Sequence, residues 1–419
     1  MKKYLALLLV LVMVLSLAAC ASKPAETTDE PEQTTPVPAP AEETKDEEPA
    51  PAEETKEEEP TEEPADNTEY AVAMITDYGD ITDQSFNQTT YEACKAFCED
   101  NGVQFSYFKP AGDNTADRVA MIEKAVDEGY NVIVMPGYAF GGAIVEAAPE
   151  FPDVKFIALD VAKGDLLEAG VAKAGESYDY NPDNWDLEKY VDMSNVYCAI
   201  YQEELCGYMA GYAAVKLGYK SLGFLGGMAV PAVIRYGYGF VQGASAAAAE
   251  MGVKVEMNYS WLYGASFSAS TELQTMASGW YENGTEVIFA CGGNMFQSVA
   301  AAAAANDGAV VGVDVDQSSQ SDTVITSAMK GLSASVQWAC GKVYDGSFDE
   351  IGGTFVTLGA KDNAVGLPTA TWSLKNFTVE QYQAELAKIV NGEITVDNNS
   401  EMSNPEKAEL SNVKVNFVG

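Results

Sequence analysis

Nine residues of this sequence have side chains or backbone freedom suited to holding a small solute. They are Asp77, Phe86, Asn87, Asp160, Tyr236, Phe267, Gly292, Asp314 and Lys330. A carboxylate only accepts hydrogen bonds, so it suits ring N–H and sugar O–H groups, whereas an amide both accepts and donates. The acid-base machinery of common enzymes is missing: the chain has no histidine. Ser-His-Asp and Cys-His chemistry and every histidine-bearing zinc site are therefore excluded. No paired-carboxylate motif, nucleophile elbow or phosphate loop is present. Asp314-Val-Asp316-Gln-Ser318 begins like a calcium loop, but Ser319 and Ile325 stand where that loop needs Gly and Glu. Neither a metal nor a cofactor is expected.

These residues recur at one kind of place. Short β-branched or aromatic runs at 71–76, 103–108, 131–135 and 154–159 alternate with helical stretches near 84–101, 114–129 and 138–148. A second series has strands from Ser221 and at 253–260, 286–290, 309–313 and 323–327. Its helices fall near 232–251, 270–283, 294–306 and 331–344. Strand-helix alternation predicts parallel sheets covered on both faces. The fold class is therefore α/β, with two doubly wound parallel-sheet lobes. Ligands of such sheets bind beyond the carboxyl ends of the strands, which is where the nine residues fall. A cleft between lobes is the expected site.

Composition sets the outer limits. The 419 residues carry a formal charge of −39, and 47% of them are apolar. Such acidity argues against nucleic acid, which is bound by clustered Lys and Arg. It also favours uncharged solutes over phosphorylated ones. Residues 1–20 read as a secretory signal, with two lysines, an apolar run from Leu5 to Leu17 and Leu17-Ala18-Ala19-Cys20 before the cut. The last four resemble a bacterial lipobox, which makes Cys20 the expected lipidation site and membrane anchor. Residues 21–69 are rich in Pro, Glu and Thr and repeat Pro-Ala-Glu-Glu-Thr-Lys at 40–45 and 51–56. They predict a disordered acidic tether spanning about 40 Å as a coil. Residues 70–197 and 198–352 are assigned to the N- and C-terminal lobes. Residues 353–419 are assigned to a hinge return and a segment packing on the lobes. The hinge is expected near 195–200 and 353–358, and the six remaining cysteines as buried thiols.

Five motifs in register resemble the basic membrane protein family. They are Asp83-Gln-Ser-Phe-Asn-Gln88, Gly223-Phe-Leu-Gly-Gly-Met228 with Pro231 and Arg235-Tyr236, Glu286-Val-Ile-Phe289 with Gly292-Gly293, Gly312-Val-Asp-Val-Asp-Gln317, and Thr326-Ser-Ala-Met-Lys330. Members are lipid-anchored substrate-binding proteins of bacterial ABC importers, and characterised ones bind purine nucleosides. The resemblance covers about residues 70–394. It implies a type I periplasmic-binding-protein fold closing on its ligand, a partner permease with ATPase subunits, and no catalysis; a monomer is expected. It further implies that Phe86 stacks on a base, with Phe267 and Tyr236 competing for the other side. Asp77, Asn87 and Asp160 would bond base edges or sugar hydroxyls, and Asp314 and Lys330 the ribose. Gln84 replaces the motif's usual lysine, residues 161–194 are longer than is common, and Tyr263-Gly-Ala-Ser-Phe267 is altered.

Each residue also has a structural reading: a helix cap for the Asp residues, a core position for Phe86, a salt bridge for Asp314 with Lys330, a surface position for Arg235. Two other functions remain open to the same residues. One is a ligand-sensing surface lipoprotein, and the other a secreted carboxylate-based hydrolase.

Overall fold

The structure, a computed structural model, describes residues 70–419. The signal, Cys20 and the tether lie outside the described residues.

Strands β1 (Ala71–Ile75), β2 (Gln104–Phe108), β3 (Val132–Pro136), β4 (Lys155–Leu159) and β5 (Val196–Tyr201) build the first sheet. Helices α1 (Phe86–Asn101), α2 (Thr115–Asp127), α3 (Gly141–Ala147) and α4 (Lys163–Lys173) connect them. The second half supplies α5 (Glu203–Lys216), β6 (Ser221–Gly226), α6 (Pro231–Met251), β7 (Val255–Ser260), α7 (Thr271–Glu282), β8 (Val287–Cys291), α8 (Met295–Ala305), β9 (Ala309–Asp314) and β10 (Val324–Lys330). The chain ends with α9 (Leu332–Tyr344), β11 (Phe355–Leu358), β12 (Val365–Gly366), α10 (Val379–Val390) and β13 (Val413–Val418).

Two sheets result, in the orders β11-β5-β4-β3-β1-β2 and β12-β10-β9-β8-β6-β7-β13. All pairings are parallel except β10 with β12. Strands β3, β8 and β9 are buried along their whole length, as sheets covered on both faces require.

The lobe boundaries differ from the sequence expectation. Strand β5 lies wholly in the first sheet, where it pairs with β4 and β11, so the first crossing follows Tyr201 rather than residue 197. Helix α9 packs on α1, β3 and β4 of the first lobe, with Trp338 against Tyr197 and Tyr344 against Phe97. It was assigned to the second lobe because helical periodicity reveals an apolar face but not the sheet which that face covers. The chain therefore crosses three times, after Tyr201, after Lys330 and after Leu358, and the hinge lies just beyond the strands expected to form it.

Helices α5 and α6 approach unusually closely. Gly207 and Gly211 face the carbonyls of Tyr236 and Phe240, while Gly239 and Gly243 face those of Glu204 and Tyr208; a Cβ at any of the four would overlap the oxygen. This contact fixes the amino ends of both helices beside the hinge.

Candidate ligand cleft

The start of α1 is set by one acid. Asp83 accepts the backbone N–H groups of Ser85, Asn87 and Gln88 at 2.9, 2.9 and 3.0 Å. It thereby satisfies donors that a helix start leaves without intrahelical partners. Phe86 and Asn87 are consequently held at the cleft wall rather than in a mobile loop. Asp83 was expected only as part of a motif, and its three acceptances give it a positioning role.

A cavity of about 230 Å³ lies between the lobes. That is near the small end for metabolite sites. All nine residues singled out in the sequence line it. So do Tyr78 and Arg235, which follow the first strand of each series, and Asp165, whose place the strand-end argument did not supply. Four of the non-glycine residues with positive φ gather at this cleft: Gln84 (56°), Asp160 (59°), Phe267 (51°) and Asp314 (65°). Backbone strain of this kind persists only where surrounding contacts enforce it, and it concentrates at ligand clamps.

One end is aromatic. Phe86 and Tyr78 come from the first lobe, and Phe267 from the second, with the Tyr78 and Phe267 ring centroids 6.2 Å apart. Phe267 lies over Gly227 and Gly292, positions where a Cβ would collide with its ring; Gly292 also has φ +155°. Tyr236 is not the second stacking wall. Its ring is buried edge-on against Phe289, and its hydroxyl donates to Asp314 at 3.1 Å. The aromatic at the sixth position of α6 faces the core, which the motif alone does not reveal.

The other end is a charge cluster. The Lys330 ammonium lies 2.5 Å from Asp160, 3.5 Å from Glu203 and 3.6 Å from Asp314. It also sits over the Phe86, Tyr201 and Tyr236 rings at 4.5, 5.4 and 5.7 Å, favourable cation–π geometry. Burial works to lower its pKa, but Asp160, Asp314 and Glu203 outweigh burial and hold it above the ordinary lysine value. Asp160, not Asp314, is thus the nearest partner of Lys330.

Arg235 is not on the surface: it is paired with Glu203 at 2.7 Å and lies 4.0 Å from Glu204. Burial raises the pKa of Asp160 to about 6 against the pull of Lys330. Burial likewise raises Asp165 and Glu204 to about 7 each. Asp160 Oδ1, Glu203 Oε1 and Asn87 Oδ1 are buried without hydrogen-bond partners. Such acceptors are costly unless something donates to them.

The lobes touch across the cleft. Ser85 donates to Asp314 at 2.5 Å, Gln84 to Gln320 at 2.8 Å, and Gln317 to the Gln84 carbonyl at 3.0 Å. Tyr138 reaches Met228 at 3.3 Å. The usual lysine of the motif is thus replaced by an uncharged side chain that bridges the lip. The long 161–194 passage contributes Ala162 and Asp165 to the cavity. Its remainder folds back on α4, with Lys163 donating to the Pro182 and Trp185 carbonyls, both at 2.9 Å, and the Trp185 ring in contact with those of Tyr178 and Tyr190.

Comparison with known proteins agrees with this architecture. The family described as ABC transporter substrate-binding protein, PnrA-like (Bmp), matches residues 70–400. The ABC transporter nucleoside-binding protein BmpA of Lactococcus lactis subsp. cremoris (strain MG1363) is 27% identical over 354 residues, 78% of this chain and 89% of the relative. A lipoprotein of Pyrococcus abyssi (strain GE5 / Orsay) is 25% identical over 340 residues, 78% of this chain and 74% of the relative. The crystal structure of a solute-binding protein of an ABC transporter system from Aeropyrum pernix K1 superposes with a TM-score of 0.63 at 21% identity, covering 81% of this chain and 97% of that one. That likeness shows the shared fold of type I periplasmic solute-binding proteins. The chain belongs to the Bmp, PnrA-like family of ABC transporter substrate-binding proteins, and so binds a small molecule for a permease and its ATPase rather than transforming it.

Proposed function

We propose that this chain captures a purine nucleoside between its lobes and hands it to an importer from a lipid anchor on Cys20. The observation that carries the reading is the division of one cavity into an aromatic end and an ionic end. A flat base fits between Phe86 and Phe267, where stacking is worth about 1–3 kcal/mol. Ribose hydroxyls, which both donate and accept, fit among Asp160, Asp314 and Lys330. Asp160 lines the cavity and its buried Oδ1 accepts no hydrogen bond, which favours a ligand rich in O–H donors. The name of the Lactococcus relative supports the same substrate class.

The mechanism is lobe closure about the three crossings. Ligand bridging both lobes favours the closed arrangement by its differential affinity for it. The lobe-to-lobe bonds of Ser85, Gln84 and Gln317 then form only on closure, and opening at the permease releases the solute.

Isothermal titration of the detergent-solubilised full chain with nucleosides, pentoses, hexoses and amino acids tests the substrate class. Saturable nucleoside binding weakened by Phe267→Ala is expected; a sugar or amino acid binding in its place would discard the nucleoside. Retention of the chain in the detergent phase, lost in Cys20→Ser, tests the anchor. Light scattering after gel filtration tests the expected monomer.

A further inference from the structure

Behind the cavity wall stands an acid that touches two of its cations. Glu203 opens α5 just past the first crossing, and its side chain is fully buried. Its Oε2 accepts from Arg235 at 2.7 Å, and its Oε1 lies 3.5 Å from the Lys330 ammonium. At that separation Oε1 accepts no hydrogen bond. A move of about 1 Å by the ammonium would complete a charge-assisted bond of ordinary length.

The other acids around Lys330 differ from it. Asp314 already accepts Ser85 at Oδ2 and Tyr236 at Oδ1, at 2.5 and 3.1 Å. Asp160 binds the ammonium at 2.5 Å, but it follows β4 of the first sheet. Glu203, Arg235 and Lys330 instead sit on α5, α6 and β10, which pack together in the second lobe. The Asp160 contact therefore breaks when the lobes part, whereas the Glu203 contact remains.

Two like charges thus converge on one ammonium only in the closed arrangement. Burial raises the pKa of Asp160, Lys330 opposes the rise, and the Glu203 carboxylate adds to it. That repulsion disfavours closure. In the open arrangement a deeply buried ammonium without a counter-ion would be costly, and Glu203 supplies one. We propose that Glu203 is a positioning residue for solute exchange: it receives Lys330 from Asp160 as the lobes part, and so keeps the solute-free protein able to open. The inference rests on the lobe closure proposed above, and not on the identity of the solute.

The test is single-molecule fluorescence transfer in the full, solute-free chain, between dyes on Ala111→Cys and Ala265→Cys. Both positions are exposed, within two residues of Lys109 and Ser266 on opposite sides of the cavity, and the six thiols of the described residues are buried. Charges in contact couple by roughly 2- to 150-fold in an equilibrium. Glu203→Gln is accordingly expected to raise the closed-to-open ratio at least about threefold. Asp160→Asn should lower it by at least about threefold, and in that background Glu203→Gln should change it less than about twofold. A structural role for Glu203 would not depend on Asp160 in this way. An unchanged or lower ratio in Glu203→Gln, or a rise that survives Asp160→Asn in full, overturns the inference while lobe closure stands. A ratio unmoved by Asp160→Asn alone also overturns it, and that variant leaves Glu203 in place should Glu203→Gln misfold. One unvarying distance in the parent chain refutes lobe closure, and the inference with it.

Discussion

Replacing Lys330 by methionine removes the cation that three carboxylates share. The side chain is 3% exposed and the acids around it are Asp160, Glu203 and Asp314, at 2.5, 3.5 and 3.6 Å. Methionine fills similar volume, so little packing is lost and the change isolates charge. Breaking a buried pair by deleting one partner costs about 3–5 kcal/mol, because an uncompensated charge stays behind. For a body of this size, each kcal/mol moves the midpoint by roughly 1.4 °C. A fall of roughly 4–7 °C is expected at pH 8 by calorimetry.

The pH dependence has a definite sign. Burial already raises Asp160 to about 6 with Lys330 present, and without the lysine it rises further. A carboxyl raised in the folded state contributes stability present at low pH and lost as pH climbs through its folded pKa. The deficit of the variant must therefore shrink between pH 8 and pH 5, as Asp160 takes up a proton instead of staying charged. Asp160→Asn in the same chain removes the charge outright and should restore more than half of the loss at pH 8. A deficit below about 1 kcal/mol, or one equal at both pH values, would show that the cluster is screened and the argument wrong.

Three shorter predictions rest on other parts of the molecule. Gln84→Ala removes the bond to Gln320; one hydrogen bond is worth about 0.5–1.5 kcal/mol, so ligand release followed by stopped flow should quicken by about 2- to 12-fold, and an unchanged rate would remove Gln84 from the latch. Gly243→Val drives a side chain into the Tyr208 carbonyl, with an expected loss of about 1–3 kcal/mol or more in thermal unfolding; a neutral result would mean that α5 and α6 separate freely. Burial raises Asp165 to about 7, so its contribution is present below pH 4 and lost as pH rises through 7. Asp165→Asn should accordingly gain stability over the parent more at pH 8 than at pH 5, and the reverse order would place the Asp165 carboxylate in a solvated environment.

The parts of the site legible in the sequence share a physical origin. A parallel sheet ends its strands on one edge, so Asp77, Asp160, Gly292, Asp314 and Lys330 could be gathered from strand periodicity alone. What escaped are features that depend on a second element. Tyr236 was expected as a stacking face, yet the glycine contacts of α5 with α6 turn its ring into the core and leave only its hydroxyl for Asp314. Arg235 was expected in water because a lone arginine on a helix usually is; its partners Glu203 and Glu204 come from a helix more than twenty residues earlier. Helix α9 was read with the strand before it, although the chain had already crossed back at Gly331.

Each of these misses involves the hinge, and that is no coincidence. Where a chain crosses between lobes three times, neighbours in sequence belong to different bodies. Buried charges from both bodies then meet at the crossings. Lys330 ends a strand of the second lobe yet lies closest to Asp160 of the first. The cluster that would hold a ribose is therefore also a tie between the lobes at the place where they bend, so a ligand that competes for Asp160 acts on closure directly. Binding and bending should consequently be inseparable at Lys330. At Phe267, whose ring meets the first lobe through one tilted contact with Tyr78 at 6.2 Å, a truncation should weaken affinity far more than it loosens lobe closure in the absence of ligand.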